Sequence, residues 1–420
     1  MILLALNVLW YYAIAFIIIW VVALLFKDRL KIDIEGPIMM RRTKRLRDFI
    51  DSVAMKSPRS WRLIMNIGIP VSFFFMILTL GLILSTLSST FTNPQLSIIL
   101  PGVDIPGSQA FIPLGYGIIG LMTVLVVHEF GHGIIARIEG VKIDSIGVLL
   151  LAVLPGAFVE PNEEDVQKSE RIQKLRIYAA GSIFNLILAA ISFIIVMFIT
   201  LMIIGSVFIG IPGFTIPGTH IETPTLGENV TGPVFPTFHN GGVQIYSVVP
   251  GSPAYGKLPQ GTIVQSINGV DTTTLSNAEV VFSQLKIGEN VTLQTTSGNY
   301  TIKTGANPDN SSKGYIGIRA MQQEFVNSNV AKTVGTQIPW FIYSLQQLFF
   351  WIFLLNFSVG IFNLLPVKPL DGGLLLEELL GYKLSESVVN KIMTPLSYFL
   401  ILLIASIIVY SLARGILLSL

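Results

Sequence analysis

The sequence predicts an α-helical polytopic membrane protein with about six transmembrane helices, a membrane-associated β-hairpin and an inserted extracytoplasmic α/β domain. Its 420 residues are 52% hydrophobic and only 12% charged, and mean hydropathy is +0.69. Soluble domains seldom have this composition, so the lipid bilayer is the expected solvent. The chain has no cysteine, which excludes disulfides, cysteine-ligated zinc and a thiol nucleophile. A net charge of +2 gives no reason to expect nucleic acid.

Apolar segments long enough to cross a bilayer, about 20 residues each, recur along the chain. They are residues 2–26, 63–87, 114–138, 177–205, 338–365 and 394–417. Basic residues are concentrated between the first two, from Lys27 to Arg62, and the positive-inside rule assigns that loop to the cytoplasm. Six spans would then place residues 139–176 in the cytoplasm and 206–337 outside. We expect a multi-pass protein of the plasma membrane.

Four regions follow from this division. They are an N-terminal two-helix membrane region with the basic loop (1–112), core helices with the HEFGH motif (113–205), an extracytoplasmic segment (206–335), and a core helix with the NLLPVKPLDGG motif and a C-terminal transmembrane helix (336–420).

The extracytoplasmic segment is predicted to be β-rich with one short helix. Alternating runs predict strands at 243–249, 291–295 and 300–304, the last two forming a hairpin through residues 297–299. Ser276 and Glu279 form a possible capping box that would open a helix reaching Lys286.

Residues 145–160, SIGVLLLAVLPGAFVE, are apolar but too short to span the bilayer, and Pro155-Gly156 divides them into two β-prone arms. They predict a hairpin that dips toward the membrane, where it must line a cavity or meet other protein. A cytoplasmic hairpin packed on the helices is the alternative.

The HEFGH motif at residues 128–132 points to metal chemistry. Helix positions four apart share a face, so His128 and His132 can both bind one Zn²⁺ ion. Zinc lowers the pKa of a bound water to about 7, and Glu129 can then act as a general base. The alternative is a chance cluster, although ionisable residues inside an apolar helix are usually functional.

A catalytic zinc ion needs a third protein ligand, and Asp371 is the best placed. It follows the fifth span, where prolines and glycines break the helix and can turn the chain back. Glu377 and Glu378 are weaker alternatives. Asp371 can instead belong to an ordinary turn and cap the next helix.

These two motifs together resemble those of the site-2 protease family of intramembrane zinc metalloproteases, peptidase family M50. The resemblance covers the whole membrane core. It implies that His128, His132 and Asp371 bind zinc, that Glu129 is the catalytic base, and that substrates are transmembrane segments of other proteins in regulated intramembrane proteolysis.

Two further segments carry the resemblance. AAGSIFN, residues 179–185, resembles the family's Gly-x-x-x-Asn element, which would place Asn185 near the site to hold substrate or a developing oxyanion; a role in joining helices is the alternative. GAFVE resembles the family's membrane hairpin, in which Gly156, Ala157, Phe158 and Val159 would offer a strand edge to an unwound substrate.

The outer segment resembles a PDZ domain at about residues 240–320, through VVPGSPA, GTIVQSING and GYIGI. A PDZ groove binds peptide as an added strand. Gly241, Gly242 and Val243 match the carboxylate-binding loop, although Gln244 and Thr262 depart from the usual pattern. A fold retained as a steric filter is the alternative.

Two other functions remain open from the sequence. A metal transporter would use HEFGH to coordinate its cargo and would not need Glu129 as a base. A catalytically silent PDZ scaffold would tolerate loss of the zinc ligands.

Overall fold

A computed structural model describes residues 2–35, 38–43, 45–90, 100–103, 112–151, 154–204, 238–249, 251–272, 274–307, 312–326, 331–332 and 335–419. The chain divides into two compact units. We call residues 2–196 with 347–420 the membrane unit, and residues 197–346 the inserted unit.

Long apolar helices dominate the membrane unit. The helices that lie wholly or mostly in the membrane unit are α1 (Ile2–Leu25), α2 (Lys27–Leu30), α3 (Arg45–Lys56), α4 (Pro58–Thr90), α5 (Leu114–Ile138), α6 (Glu163–Lys168), α7 (Arg171–Ile204), α9 (Gln337–Phe362), α10 (Asp371–Leu380) and α11 (Glu386–Ser419). Among the described residues, α4, α5, α7, α9 and α11 each contain a stretch long and apolar enough to cross a membrane. The first helix contributes the shorter apolar stretch Ala13–Leu25, so the count of six stays a prediction.

A four-stranded antiparallel sheet packs against these helices. Its strands are β1 (Asp33–Glu35), β2 (Ile38–Thr43), β3 (Ile143–Leu151) and β4 (Leu154–Pro161), in that order across the sheet. The strands β3 and β4 form the predicted hairpin, but Pro155-Gly156 does not divide its arms. Both residues lie inside β4, paired with Leu150 and Leu149. An edge strand accommodates proline because its missing N–H can face away from the ladder.

The membrane unit is held together at one end by a buried charge cluster. The Glu139 side chain is only 2% exposed, and its Oε1 accepts from Arg62 on α4 at 3.2 Å and from Arg176 on α7 at 3.1 Å. A buried carboxylate needs such partners, because an unpaired one would be strongly destabilising. The cluster ties the end of α5, the helix that carries HEFGH, to both of its neighbours.

The inserted unit contains a second antiparallel sheet and one short helix. The elements are β5 (Phe238–Val248), β6 (Ile263–Ile267), β7 (Val270–Asp271), α8 (Leu275–Ser283), β8 (Asn290–Thr295), β9 (Gly298–Lys303), β10 (Gly305–Ala306), β11 (Gly314–Tyr315) and β12 (Ile318–Val326). The main sheet has the order β12-β5-β6-β8-β9, with β7 paired to β6. Its core is aliphatic and includes Ile245, Ile267 and Leu293.

Two sequence predictions for this unit need correction. The cap of α8 is Thr274, whose Oγ1 accepts from Asn277 N at 3.2 Å, so the helix begins before the predicted Ser276. Gly241, Gly242 and Val243 do not form a loop. They lie in β5, where Gly242 and Val243 pair with β12, Val243 also pairs with β6, and Gly241 falls at the register shift between the pairs of Asn240 and Gly242.

Candidate metal centre

The two histidines of HEFGH lie on one face of α5, as their spacing predicts. Their Nε2 atoms are 3.2 Å apart, and both side chains are largely buried. Such a pair of imidazole nitrogens aimed at one point is a usual beginning of a zinc site.

Asp371 completes the group from a distant part of the sequence. After α9 ends at Phe362 the chain folds back, and Gly372 N donates to Asn363 O at 2.8 Å. A Cβ at Gly372 would lie 2.0 Å from Leu364 O, so this turn requires glycine. The first residue of α10, Asp371, thereby reaches both histidines, at 3.4 Å from His132 Nε2 and 3.6 Å from His128 Nε2.

The third helix at the centre, α7, supplies hydrogen-bond partners to these ligands. His132 Nδ1 lies 2.8 Å from Ile177 O, a carbonyl that can only accept, so Nδ1 carries a proton, and in the neutral ring Nε2 keeps its lone pair. Ser182 Oγ donates to Asp371 Oδ2 at 2.9 Å. Neither Ile177 nor Ser182 was singled out from the sequence. The four-residue spacing of 177, 181 and 185 places Ile177 on the same helical face as Asn185, but it does not indicate which face α7 turns to the ligands, and Ser182 lies outside that series.

Glycine leaves the space that the centre occupies. A Cβ at Gly181 would lie 2.4 Å from His132 Nε2 and 2.6 Å from His128 Nε2. Across the same contact, a Cβ at Gly131 would lie 2.9 Å from Ala180 O. Each helix therefore has a glycine where the two meet, which lets their backbones approach closely.

The donor atoms fit a zinc ion. Ligands at about 2.0–2.1 Å from a tetrahedral zinc lie roughly 3.3 Å from one another. The two Nε2 atoms are 3.2 Å apart, His132 Nε2 is 3.4 Å from Asp371 Oδ1 and His128 Nε2 is 3.6 Å from Asp371 Oδ2. With one ligand atom taken from each residue, all three lie within 4.8 Å of one another, so a small closure of the group would bring them to zinc-binding distances. Two imidazoles and one carboxylate, with no thiolate, match the composition of a catalytic zinc site.

The alternative third ligands are engaged elsewhere. Glu377 accepts from Lys368 Nζ at 2.5 Å, and Glu378 is paired with Arg171 at 2.8 Å and Lys174 at 3.5 Å. Among the residues that the structure describes, the one group of three metal-binding side chains is His128, His132 and Asp371.

Glu129 is tied to the hairpin. Its Oε2 accepts from the backbone N–H of Val159 at 3.1 Å, so β4 lies beside the motif. Of the predicted hairpin residues, Val159 is thus in direct contact with the site, whereas Phe158 packs over Gly147 on the neighbouring strand. Val159 turns its N–H away from β3 to make this bond. By strand alternation, Ala157 also turns its backbone groups toward the free edge.

Asn185 lies against the first histidine. The residue is fully buried, and its Nδ2 is 3.3 Å from His128 Nδ1. Its Oδ1 is buried without a hydrogen-bond partner. The sequence prediction that this residue lies near the site is consistent with the geometry.

Two cavities adjoin these residues. A cavity of about 880 Å³ has His132, Asp371 and Val159 in its lining together with Glu160 and Glu163, so it adjoins two of the three candidate ligands. An apolar cavity of about 540 Å³ is lined by α1, α5 and the sheet, including Ala157 of β4.

These features define a class of protein, a multi-pass membrane protein with a group of two histidines and one carboxylate in its helical core that could hold a metal ion. The chain belongs to peptidase family M50, whose family model matches residues 116–404, well over half of the chain. That membership supports an intramembrane metalloprotease in general.

Two individual proteins are similar to this chain. An uncharacterized protein of Methanocaldococcus jannaschii is 27% identical over 368 residues, which cover 85% of this chain and 81% of that protein. A membrane-bound transcription factor site-2 protease homolog of Arabidopsis thaliana is 26% identical over 116 residues, 28% of this chain and 23% of that protein.

We predict that Gly181→Ala abolishes metal binding while the protein stays folded. The added methyl would occupy the space between the histidines, and alanine is otherwise the better helix former by about 1 kcal/mol. Bound metal, measured by elemental analysis of the purified protein after zinc loading, should fall from about one equivalent to near zero. Gly115→Ala, on the same helix as the histidines with nothing within 4 Å of its Cβ, is the matched control and should bind normally. A wild-type zinc content in Gly181→Ala would contradict the placement of the metal site beside Gly181.

Proposed function

We propose that this protein is a zinc-dependent endopeptidase of the site-2 type, which cuts transmembrane segments of other membrane proteins within the bilayer. The observation that carries the proposal is the assembly of three metal ligands beside a carboxylate, Glu129, that also touches an edge strand. The family membership of the chain agrees with this proposal.

His128, His132 and Asp371 would hold one zinc ion. Zinc in such a site supplies a Lewis acid that acidifies water to a pKa of about 7 and polarises the scissile carbonyl. The largely buried surroundings strengthen electrostatic interactions relative to water.

Glu129 is the proposed general base. Its carboxylate takes a proton from the attacking water and delivers it to the nitrogen of the leaving amine. The N–H of Val159 holds one carboxylate oxygen, Oε2, which fixes the orientation of the side chain. The other oxygen is then free to face the reacting water.

The free edge of β4 is the proposed binding site for the substrate backbone. A transmembrane helix hides its amide groups in internal hydrogen bonds, so it must unwind before its peptide bonds can be cut. An unwound segment can pair with β4, where Ala157 directs its N–H and C=O to the free edge. This pairing would place the substrate strand beside Glu129 and would select segments that unwind easily.

The experiment that tests the proposal is cleavage of a tagged transmembrane reporter by purified protein in detergent. Glu129→Gln should lower the cleavage rate by about 10² to 10⁴-fold, since it removes the general base. Zinc content should be unchanged, because Glu129 is not a ligand. A chelator should stop the wild type and added zinc should restore it.

This experiment separates the rival functions. Full activity of Glu129→Gln would exclude the proposed base. If the wild type binds zinc but cuts no member of a broad panel of reporters, a metal transporter or a silent scaffold becomes the better hypothesis.

A second prediction concerns the edge strand. Ala157→Pro should lower kcat/KM about fivefold to tenfold, because proline removes one N–H that would bind the substrate backbone. Pro155, two residues earlier on the same edge, shows that β4 accommodates proline there. Ala157→Ser keeps the N–H and is the control. Equal loss in both variants, or none in either, would argue against strand pairing at β4.

We further propose that the basic loop and the metal centre face the cytoplasm and that the inserted unit lies outside. The chain has no native cysteine, so single cysteines report topology cleanly. In intact cells a membrane-impermeant maleimide should label Val270→Cys, an exposed site in the inserted unit. It should label the exposed position of Glu164→Cys only after lysis. The opposite pattern would reverse the proposed orientation.

The inserted unit is proposed to bind peptide as a PDZ domain does, at a different strand from the one the sequence indicated. The strand β12 pairs only with β5 among the described strands, so its other side is an edge. The helix α8 adjoins β12, since Leu275 N donates to Gln322 Oε1 at 2.7 Å. Immediately before β12 is a glycine turn in which Gly317 has φ +78 and no room for a Cβ beside Ser252.

If this groove captures the new C-terminus left by a first cut outside the membrane, cleavage of the remaining stump should depend on its terminal carboxylate. Reporters ending outside in a free carboxylate, an amide or a folded domain should be compared for kcat/KM. Capture predicts a loss with the amide. Equal cutting of the first two and poor cutting of the third would favour a steric filter.

A further inference from the structure

The helix α7 contacts every proposed metal ligand, and the contact at His128 differs from the other two. The carbonyl of Ile177 accepts from His132 Nδ1, and the hydroxyl of Ser182 donates to Asp371 Oδ2. Both hydrogen bonds have the direction that suits a histidine and a carboxylate that bind a metal through their remaining lone pairs. At His128 the Gly181 backbone lies within hydrogen-bonding reach of the ring, but the one side chain of α7 that faces Nδ1, that of Asn185, does so through its Nδ2, which can only donate.

A donated hydrogen bond at this position is incompatible with metal binding by Nε2. If Nδ1 of His128 accepts a proton from the amide, the single proton of the neutral ring must be on Nε2. That nitrogen points at His132 and Asp371, 3.2 and 3.6 Å away, and with a proton on it no lone pair remains for a metal. The ligand form of His128 therefore needs an acceptor at Nδ1.

Asn185 carries that acceptor on the same amide. Its Oδ1 is fully buried and has no partner, and a half-turn of the amide exchanges Oδ1 with Nδ2. Oδ1 would then accept the Nδ1–H of His128, just as Ile177 O does for His132. The exchange moves Nδ2 into the buried position that Oδ1 leaves, so its gain is at the histidine, where it fixes the tautomer that a zinc ligand requires.

We propose that Asn185 is a positioning residue for the metal centre, which presents its amide oxygen to His128 Nδ1 and so fixes Nε2 as a zinc ligand. This inference rests on the proposed function, since it assumes that zinc is the bound ion. Asn185 touches neither the metal nor the reacting atoms in this role.

Zinc affinity is the direct measurement, by competition with a chromophoric chelator on purified protein in detergent. Asn185→Leu removes the acceptor and should weaken zinc binding about 10- to 100-fold. Asn185→Asp keeps an acceptor oxygen of the same reach and should bind zinc within a few-fold of wild type. Co²⁺ substitution adds a second readout, because the absorption of the tetrahedral ion should be retained with Asp and altered with Leu.

Asn356→Leu is the matched control. Asn356 is another fully buried asparagine on a long apolar helix, with Nδ2 bound to Thr123 Oγ1 and Ile352 O and with Oδ1 unpartnered. Its replacement removes an equivalent amide from the helix bundle but should leave zinc affinity unchanged.

The outcomes are distinct. Wild-type affinity in Asn185→Leu, or an equal loss in Asn185→Leu and Asn185→Asp, would overturn the inference. If Asn185→Leu does not fold, the retained affinity and spectrum of Asn185→Asp still decide it, because a donor role would be lost in that variant. Failure of the wild type itself to bind zinc would overturn the proposed function instead.

Discussion

Close approach of α5 and α7 is the constraint on which the metal centre depends. Gly131 on α5 and Gly181 on α7 remove the side chains that would keep the helices apart, and a Cβ on either would lie within 3 Å of an atom of the other helix. Apolar side chains give little driving force between helices inside lipid, so close packing and hydrogen bonds must hold them. At this contact both occur together, since the face of α7 that permits the approach also carries the partners of the ligands.

Burial explains why those partners matter. Two histidines and an aspartate in an apolar helical core are costly unless each polar atom is paired. The polar network extends from the ligands to Ile177 O and Ser182, and from Glu129 to Val159 N. A buried polar network with unpaired groups is less stable than an apolar core. Each hydrogen bond that pairs a group also restrains its side chain, so such a network favours one fixed geometry. For chemistry that needs ligands held to a fraction of an ångström, this is an advantage.

Features of the site that depend on local sequence could be predicted from it, and features that depend on tertiary contacts could not. The apolar segment 114–138 matches α5 residue for residue, because Pro113 and Gly140 bound it. The i, i+4 histidines need only helical geometry. The turn that brings Asp371 back was readable from its prolines and glycines. The roles of Ser182 and Ile177 were not, since they depend on which face α7 turns to its neighbours.

The errors in the strands have the same origin. Gly241 and Gly242 resemble a binding loop in sequence, yet they lie in β5, where Gly242 pairs with Gln323 of the distant strand β12 and Gly241 falls at a register shift. Whether a strand is an edge is a property of the sheet and cannot be read from one strand. In the hairpin, Pro155-Gly156 predicts a turn by composition, but the pairing of β4 with β3 continues through both residues.

The hydrogen bond between Val159 and Glu129 suggests how substrate binding and catalysis are joined. One strand, β4, both holds the proposed base and offers its edge to a substrate backbone, so a segment paired there lies at a fixed distance from Glu129. A helical segment cannot make this pairing, because its amides are already bonded internally. In the proposed mechanism no separate element is needed to recognise unwound chain. The backbone pairing that requires unwinding would also set the register of the scissile bond, which would make local helix stability in the substrate a determinant of specificity.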